Sequence, residues 1–541
     1  MALAKDHLSE IGSIDTKKGI DALTIFTFLW SNICVLQCVK HYHSVKEHIF
    51  SSVLSIDVFL FFLLVVSVVC AMVQPNRSGS LLFLCSSHII SLLHHGSQSN
   101  HVVMALITAS AVLLDYSTDR AVWQQRLSGT IYLILVILYL VSWTHKLNEN
   151  WFDSTISCAS LFASGFLSIW ISLPTELNST FAHHIAETVI RTAPTMAAIV
   201  EFTLPTLLIL WRSTTFTTSR TIFRVLIMVA ASFHLMICLP LPPMSVYPFS
   251  MVMVPMYALI LPDESIRLIS RVTENLWLIG GTVGVSAVIM QFGLKIVLNG
   301  EEMPLEYPAY GLWTTAVVWN VLVWAVILYA ALSIKMPSAT FKFPTFIYRP
   351  RGVLLAMFLG FIGLCPYLGI RNYPALAMFS NLRTEGTSPN HLYLPRMGVL
   401  NYQRDTVHVH STSLKSLQNY QVNLAIYFSE HTKKFNTAFG VTNQFWISPP
   451  SWSPPDNRPA PFVPYSIPVL EFRKHISTQT AKAFYVNFTM NADPISLSRM
   501  FDSDDPNTYA EYGHLMEPVS WIQRILFRFR SFDSDFSPCR H

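Results

Sequence analysis

Charged residues are scarce in this sequence. Asp, Glu, Lys and Arg together make up 13% of the 541 residues, whereas an average soluble domain carries about 25%. Hydrophobic residues make up 52%. The net charge of +4 is small for this length, so the composition gives no indication of a nucleic-acid partner. We therefore predict an integral membrane protein whose main partner is the lipid bilayer.

Familiar catalytic and metal-binding motifs are also missing. The sequence contains no phosphate-binding loop, nucleophile elbow or HExxH motif. Its eight cysteines include no CxxC pair and no zinc-type Cys/His spacing, so most of them are expected to be small core residues. Four histidines recur six or seven residues apart, at His88, His94, His95 and His101. Neighbours on one helix face lie three or four residues apart, so we predict no metal cofactor.

Apolar runs fill the first two thirds of the chain. A membrane-spanning helix needs about 20 apolar residues. Candidate spans lie at residues 20–38, 52–73, 81–95, 101–116, 129–144, 195–211, 222–239, 247–262, 276–297, 311–334 and 352–370. A helix over 81–95 would extend only about 22 Å, so it should thin the membrane or end against other protein. The sequence thus predicts a mostly α polytopic membrane helical bundle over residues 20–370, after a cytoplasmic segment at 1–19.

The positions of Lys and Arg predict the orientation of the bundle, because cytoplasmic loops are enriched in both. Two loops are strongly basic and should be cytoplasmic: they carry Arg212, Arg220 and Arg224, and Lys335, Lys342, Arg349 and Arg351. Counting spans from either loop places the chain after 370 outside. Counting from Lys17 and Lys18 places 96–100 and 145–150 outside too. The counts agree only if 155–172 is a lateral or re-entrant helix, and they leave Lys40 and Lys46 outside.

Residues 371–541 have a different composition and predict a small, mostly β extramembrane domain. Alternating or aliphatic-rich segments lie at 391–400, 404–412, 421–428 and 482–490. The proline-rich stretch 447–468 is typical of an extended surface loop. Sequons at Asn178 and Asn487 are compatible with a lumenal location. The last predicted element is an amphipathic helix with one apolar side, formed by Trp521, Ile522, Ile525 and Phe529. This side fits either the bilayer surface or the core of the domain.

Polar residues at the outer ends of the short helices are the first candidates for chemistry. The predicted topology places Asn100, His101 and Lys146 on one membrane face, together with His94 and His95. A lysine in apolar surroundings loses hydration that favours its charged form, and it can then act as a general base. A neighbouring Asn or His can hold a hydroxyl or an oxyanion by hydrogen bonds. The alternative is structural: Lys146 extends to the interface and His101 caps a helix.

Three further ionisable residues are candidates. Glu201 lies inside an apolar run, and an intramembrane acid is a functional candidate by default. Its structural alternative is an ion pair with Arg191 or a histidine. Arg383 and Glu385 follow the last predicted span, where they could pair over the mouth of a cavity or belong to a structural turn.

Several segments resemble the vitamin K-dependent γ-glutamyl carboxylase superfamily, in its HTTM-type membrane domain. The stretch from Arg126 to Trp151 ends in Lys146-Leu-Asn-Glu-Asn-Trp151, similar to that family's Lys-Leu-Asn/Asp-x-x-Trp turn. Asn100-His101 resembles its Asn-His element, and Phe233-His234-Leu-Met its Phe-His-x-Met element. Residues 378–391 resemble a stretch after the last helix of HTTM-type proteins. The likeness covers roughly residues 20–410. The chain is much shorter than the animal carboxylase, and it has Ile237-Cys-Leu-Pro240 where that enzyme has polar residues.

The resemblance implies a site and a reaction. It implies that Lys146 is the base that deprotonates vitamin K hydroquinone or another lipophilic quinol, and that Asn100 and His101 hydrogen-bond the quinone or an oxyanion. His94, His95, His234, Glu201 and Trp151 are then expected around the substrate or cofactor. In the family, oxygen adds to the quinol anion, the resulting strong base removes a γ-proton from a glutamate, and CO2 captures the carbanion.

Two functions remain open from the sequence. The first is a carboxylase-like membrane enzyme that acts on a protein or a small-molecule acid with a quinol, O2 and CO2. We expect such an enzyme in the endoplasmic reticulum or secretory pathway, with its C-terminal tail in the lumen. The second is a non-enzymatic multi-pass protein, such as a lipid or quinone binder or a transport component, that keeps the HTTM-type scaffold.

Overall fold

The computed structural model describes most of the predicted bundle and parts of the C-terminal region. The described residues are 20–50, 55–94, 99–154, 156–170, 180–213, 216–240, 245–273, 307–333, 346–377, 379–386, 389–395, 400–414, 416–417, 465–477, 484–490, 497–502, 515 and 517–530. The apolar run at 276–297 and the segment at 421–428 lie outside them, as does His95.

Helices make up most of the described chain, as predicted. They are α1 (Ala22–Phe50), α2 (Ile56–Val73), α3 (Ser78–His94), α4 (Asn100–Leu114), α5 (Arg120–His145), α6 (Glu149–Phe152), α7 (Cys158–Trp170), α8 (Thr180–Ser213), α9 (Phe216–Cys238), α10 (Tyr247–Leu259), α11 (Asp263–Thr273), α12 (Tyr307–Leu332), α13 (Pro350–Leu368), α14 (Val469–Ile476) and α15 (Trp521–Leu526).

Seven helices of the described part are long and apolar enough to cross a membrane. The stretches that meet this criterion are Ala22–Lys40, Ile56–Val73, Arg120–His145, Glu187–Ser213, Thr218–Cys238, Leu312–Leu332 and Pro350–Leu368. The count is eight if α10 and the start of α11, bent by 114°, form one broken span. The predicted runs at 81–95 and 101–116 form shorter apolar helices, α3 and α4. The predicted lateral segment corresponds to α7, which has 13 residues.

The chain divides into two compact units. The first contains Met1–Gly96, Thr108–Tyr132 and Ser250–Gly352, and the second contains the remaining segments, including the C-terminal region. In the first unit, the indole N–H of Trp123 donates to the Val112 carbonyl at 3.1 Å, and the Ser128 hydroxyl donates to the Leu259 carbonyl at 2.7 Å. Buried polar side chains thus find partners in backbone carbonyls, as an apolar interior requires.

In the second unit, α13 packs closely against the C-terminal half of α5. A Cβ added at Gly363 would lie 2.3 Å from Cγ1 of Val141, so only a glycine permits this approach. One turn further, His145 Nε2 donates to the Gly363 carbonyl at 2.8 Å. Because His145 ends α5, this contact holds the start of the turn that carries Lys146.

The C-terminal region contains a four-stranded antiparallel sheet. Its strands are β1 (Thr406–Thr412), β2 (Tyr465–Pro468), β3 (Tyr485–Met490) and β4 (Leu497–Asp502), in the order β2-β1-β3-β4. Apolar side chains of the sheet form a core with α14, made of residues such as Val407, Val409, Ile467, Phe472 and Phe488. The strands predicted at 404–412 and 482–490 are therefore present, as β1 and β3.

Two predictions for this region fail over the residues that the structure describes. The described part of 391–400 contains no strand. His391 forms an isolated bridge with Asn148 and does not join the sheet. The proline-rich stretch 447–468 ends in β2, which is buried, so its last residues are not a surface loop.

The sequon at Asn487 lies within β3, between β1 and β4, and its Thr489 is buried against His410. The sequon therefore gives no support for a glycosylated lumenal surface.

Gly369, directly after α13, should not tolerate a side chain. Its φ is +73°, and an added Cβ would lie 2.1 Å from the Leu400 carbonyl oxygen. The left-handed backbone alone costs an alanine about 1–2 kcal/mol, and the clash adds to this. We expect Gly369→Ala to lower the thermal unfolding temperature clearly. Gly360→Ala, on α13, is the control, because its Cβ would make an ordinary contact 3.5 Å from Ile137. Equal melting curves for the two variants would contradict this account.

Candidate functional site

The turn after α5 places Lys146 beside Trp151. The N–H groups of Lys146 and Leu147 donate to the carbonyls of Trp143 and Thr144, which closes the turn. Asn148 then caps α6, because its Oδ1 accepts the Trp151 N–H at 2.8 Å. This short helix brings the Trp151 ring to 5.2 Å from the Lys146 Nζ atom. The ring face thus offers the ammonium group a cation–π contact.

Lys146 forms a buried ion pair with Glu201. The Nζ atom lies 2.7 Å from Glu201 Oε2, and each side chain is only 8% exposed. The partner of Glu201 is therefore Lys146, and Arg191, which the sequence suggested, pairs with Glu187 instead. Removing two charges from water carries a large desolvation penalty, so a buried pair is weak evidence for stability. A functional role explains the presence of the Lys146–Glu201 pair more readily than stability does, because ionisable residues in apolar segments are concentrated at functional sites.

Two prolines shape the helix that carries Glu201. Pro194 and Pro205 both lie inside α8, and a proline has no N–H to donate to the carbonyl four residues earlier. For Pro194 that carbonyl belongs to Ile190, and the Ser160 hydroxyl donates to it at 3.0 Å. For Pro205 it belongs to Glu201 itself. The helix therefore lacks one backbone hydrogen bond at Glu201. Near its other proline, the Trp151 indole N–H donates to the Pro194 carbonyl at 3.0 Å.

Asn390 anchors the Lys146 turn to the segment Arg371–Leu394, which we call the connector. Its amide nitrogen lies 3.3 Å from Asn148 Oδ1, 2.6 Å from Asn150 Oδ1 and 2.8 Å from the Asn381 carbonyl oxygen. Its own Oδ1 accepts the Arg383 N–H at 2.7 Å. Its carbonyl accepts the Glu149 N–H at 3.1 Å. One buried side chain therefore joins the connector to both sides of the turn.

Further bonds fix the connector along the turn. The Asn148 amide donates to the Ser380 carbonyl at 2.6 Å, His391 Nε2 donates to the Thr144 carbonyl at 2.8 Å, and the Leu392 N–H donates to the Leu147 carbonyl at 2.9 Å. The carbonyls of Thr144 and Leu147, at and beyond the end of α5, thus gain partners from the connector.

The connector backbone is strained where it passes the site. Leu376, Phe379 and Asn381 have φ values of 59°, 52° and 53°, in the left-handed region that L-residues rarely adopt. Two of these residues are held by side chains. Asn100 Oδ1 accepts the Leu376 N–H at 2.8 Å, and Asn381 bonds the Cys158 N–H and the Ile156 carbonyl. Such strain persists only where neighbouring contacts impose it, and it is concentrated at functional sites.

The structure brings Asn100 and the Lys146 turn to the same connector. Asn100 is buried and bonds the connector at Leu376. His101 lies on α4 with its Nδ1 2.9 Å from the Ser99 hydroxyl. The proposed hydrogen-bonding role of Asn100 is therefore partly taken by the protein backbone.

The remaining predicted histidines lie elsewhere. His94 forms an ion pair with Asp57 within the first unit, at 2.8 Å. His234, on α9, is fully buried and lies 2.7 Å from the hydroxyl of Tyr139. Tyr139 lies on α5, and Lys146 follows the last residue of that helix, His145. The sequence gave no signal for Tyr139, because a tyrosine in an apolar run is ordinary.

Glu385 is buried, and Arg383 acts on it together with Arg530. Burial raises the pKa of the Glu385 carboxyl above its ordinary value, while the positive charges of Arg530 and Arg383 and the Thr384 N–H partly oppose this increase. The Thr384 N–H donates to Oε2 at 2.8 Å. With 2% of its surface exposed, Glu385 is an interior residue of the connector.

Glu385→Gln should stabilise the protein at neutral pH. A carboxyl with a raised folded pKa binds its proton more tightly in the folded state, so wild-type stability falls as pH rises from the ordinary value of 4.5 through the folded value. The variant lacks this loss. We expect its advantage in unfolding temperature to be largest near pH 7 and to vanish near pH 4. An advantage of the variant that is equal at pH 4 and pH 7 would contradict the assignment.

One cysteine near the site is oxidised. Cys158, at the start of α7, is disulfide-bonded, whereas Cys34, Cys38, Cys70, Cys85, Cys238 and Cys365 are free. The expectation that most cysteines are small core residues holds for the buried Cys34, Cys85, Cys238 and Cys365, but Cys38 is half-buried and Cys70 is exposed. Among the described residues, no group of three His, Cys, Asp or Glu side chains could hold a metal ion.

The chain was compared with known protein families, curated proteins and solved structures, and none of them matches.

Proposed function

We propose that the chain is a polytopic membrane enzyme of the carboxylase-like type, in which Lys146 and Glu201 accept the proton of a lipophilic quinol. The observation that carries the proposal is the ion pair itself. It is buried, it joins the turn after the apolar helix α5 to the apolar helix α8, and this turn resembles the carboxylase element. The local strain of the connector beside this turn is further support.

The pair can hold a second proton without gaining a large charge. Lys146 and Glu201 share one proton in their neutral combination, either as ammonium and carboxylate or as amine and carboxylic acid. A quinol hydroxyl that transfers its proton to the pair leaves an ammonium, a carboxylic acid and a quinol anion. The ammonium then stabilises the anion at close range, in a site with little water.

Neighbouring groups suit an aromatic substrate with a hydroxyl group. Trp151 covers the Lys146 ammonium, and Trp143 packs on Phe202, one residue after Glu201, with ring centroids 4.8 Å apart. Aromatic rings of this kind stack on a flat quinol, and the ion pair provides the polar contact for its hydroxyl. When bound, vitamin K hydroquinone would supply the oxygen-derived base that takes a γ-proton from glutamate before CO2 capture.

The disulfide supports a lumenal location of this end of the molecule. Disulfides form in the secretory pathway and outside the cell, and they are rare in the cytosol. The backbone N–H of Cys158 donates to Oδ1 of Asn381, in the connector, at 2.8 Å. The disulfide therefore supports our proposal that the Lys146 turn and the connector face the lumen of the endoplasmic reticulum or another secretory compartment.

The test is an assay of the purified full chain in lipid nanodiscs. It contains reduced vitamin K, oxygen, labelled bicarbonate and a glutamate-containing peptide or small acid. Incorporation of label together with quinone epoxide supports the proposal, and epoxide without label indicates a different acceptor for the base. Neither product, from protein with an intact melting transition, contradicts the proposal and favours a non-enzymatic membrane protein.

A further inference from the structure

The short helix α15 has an apolar surface that nothing in the described chain covers. None of its six residues is buried. Trp521 is 70% exposed, and Ile522, Ile525 and Leu526 are each about half exposed. The predicted continuation to Phe529 is wrong, because the helix ends at Leu526 and Phe529 packs into a core with Leu470. The exposed and the buried apolar residues of this segment are therefore separate.

Direct bonds attach α15 to the end of α13. The Arg371 guanidinium donates to the carbonyls of Leu526, at 2.8 Å, and Ile525. The Asn372 N–H donates to the Arg528 carbonyl at 3.0 Å. Arg371 follows the last residue of α13, Leu368, by three positions, and three residues extend at most about 10 Å. The C-terminal end of α15 is therefore fixed within a short distance of the end of α13.

The exposed face of α13 is itself apolar. Its side chains follow helical spacing along one stripe and are 44–63% exposed: Leu354, Met357, Phe358, Phe361 and Leu364. If α13 spans the membrane, this stripe contacts lipid tails. The apolar residues of α15 are then attached where that stripe ends, at the level of the headgroups.

We propose that α15 lies in the outer interface of the bilayer that α13 crosses, with the four apolar side chains in the acyl boundary. Tryptophan is enriched at this depth, because its ring is apolar and its N–H is polar. Arg524 and Arg528 lie on or next to the helix and suit the lipid phosphates. The C-terminal domain is thereby fixed to the membrane surface beside the connector. The inference requires only that α13 spans the membrane, which the proposed function also assumes, and it does not depend on catalysis.

Spin labels on the full-length chain in nanodiscs test this placement. A genetically encoded nitroxide is introduced singly at Ile522 or Ile525 on α15, at Phe358 on α13 as a lipid reference, and at Tyr485 on β3, 45% exposed, as a water reference. Each variant is first checked for an unchanged melting transition. Accessibility to lipid-soluble oxygen is then compared with accessibility to a water-soluble nickel complex.

We expect the labels at Ile522 and Ile525 to favour oxygen several-fold over the Tyr485 label. A preference for the nickel complex equal to that at Tyr485 would overturn the proposal. Protection from both reagents, with dipolar broadening between chains, would also overturn it in favour of a second copy. A water-exposed label at Phe358 would instead refute the membrane placement of α13. The accessibility of the labels does not depend on turnover. An enzyme assay without product would therefore contradict the proposed function and leave the placement of α15 unaffected.

Discussion

Lys146→Met should lower quinol-dependent turnover by about 10²–10⁴-fold, the usual contribution of a general base. Lys146 belongs to the ion pair that accepts the proton in the proposed reaction and stabilises the quinol anion, and methionine fills similar space without a proton-accepting or charged group. Turnover is measured as labelled CO2 fixed and as quinone epoxide formed by the protein in nanodiscs. Both products should decrease together, because proton removal from the quinol precedes both.

The single variant also changes stability. Removing one partner of a buried ion pair leaves the other charge uncompensated and typically costs about 3–5 kcal/mol. Once Lys146 is replaced, Glu201 is the buried acid left without its partner, because its side chain is only 8% exposed. A loss of activity in Lys146→Met alone therefore has two explanations, a missing base or a misfolded site.

The double variant Lys146→Met/Glu201→Gln separates the two explanations. It removes both charges, and replacing a buried pair by neutral side chains of similar volume is often neutral or stabilising. We expect its melting temperature to return to or above the wild-type value while its turnover stays at the level of the single variant. Turnover that recovers together with stability would show that the pair is only structural and that another group is the base.

The sequence predicted the helices and two of the strands because their signals are local. Hydropathy identified the long spans, such as Arg120–His145, and alternation identified β1 and β3. Local alternation failed at 391–400, since His391 and Leu392 pair with the Lys146 turn rather than with a strand. Tertiary contacts thus overrode the local pattern.

The candidate site was predictable only in part, because its main contacts join distant segments. Motif and topology arguments selected Lys146, Asn100 and Glu201 separately. No feature of the sequence indicated that Lys146 and Glu201 pair with each other. Asn390 and Asn381 were missed as well, since asparagines in irregular backbone carry no periodicity, and their importance lies in the strained connector that they hold.

Asn390→Ala should produce the largest loss of stability among substitutions in the connector. The side chain of Asn390 is 5% exposed and contacts Asn148, Asn150, Asn381 and the Arg383 N–H. Alanine leaves several of these buried groups without a partner, and each such group costs about 1–3 kcal/mol. We expect a total loss of at least about 3 kcal/mol, measured as a decrease in the temperature or denaturant midpoint of unfolding in detergent or nanodiscs.

Two matched variants determine whether the side-chain amide of Asn390 is responsible. Asn150→Ala removes only one of its contacts, at the half-buried end, and should cost less than about 1 kcal/mol. Asn390→Asp keeps an acceptor for the Arg383 N–H but directs a carboxylate at three oxygen atoms, so it should be at least as destabilising as alanine. An aspartate variant as stable as the wild type would contradict the amide assignment. Because the same amide holds the turn that carries Lys146, Asn390→Ala should also lower turnover at temperatures where the protein is still folded, whereas Asn150→Ala should not.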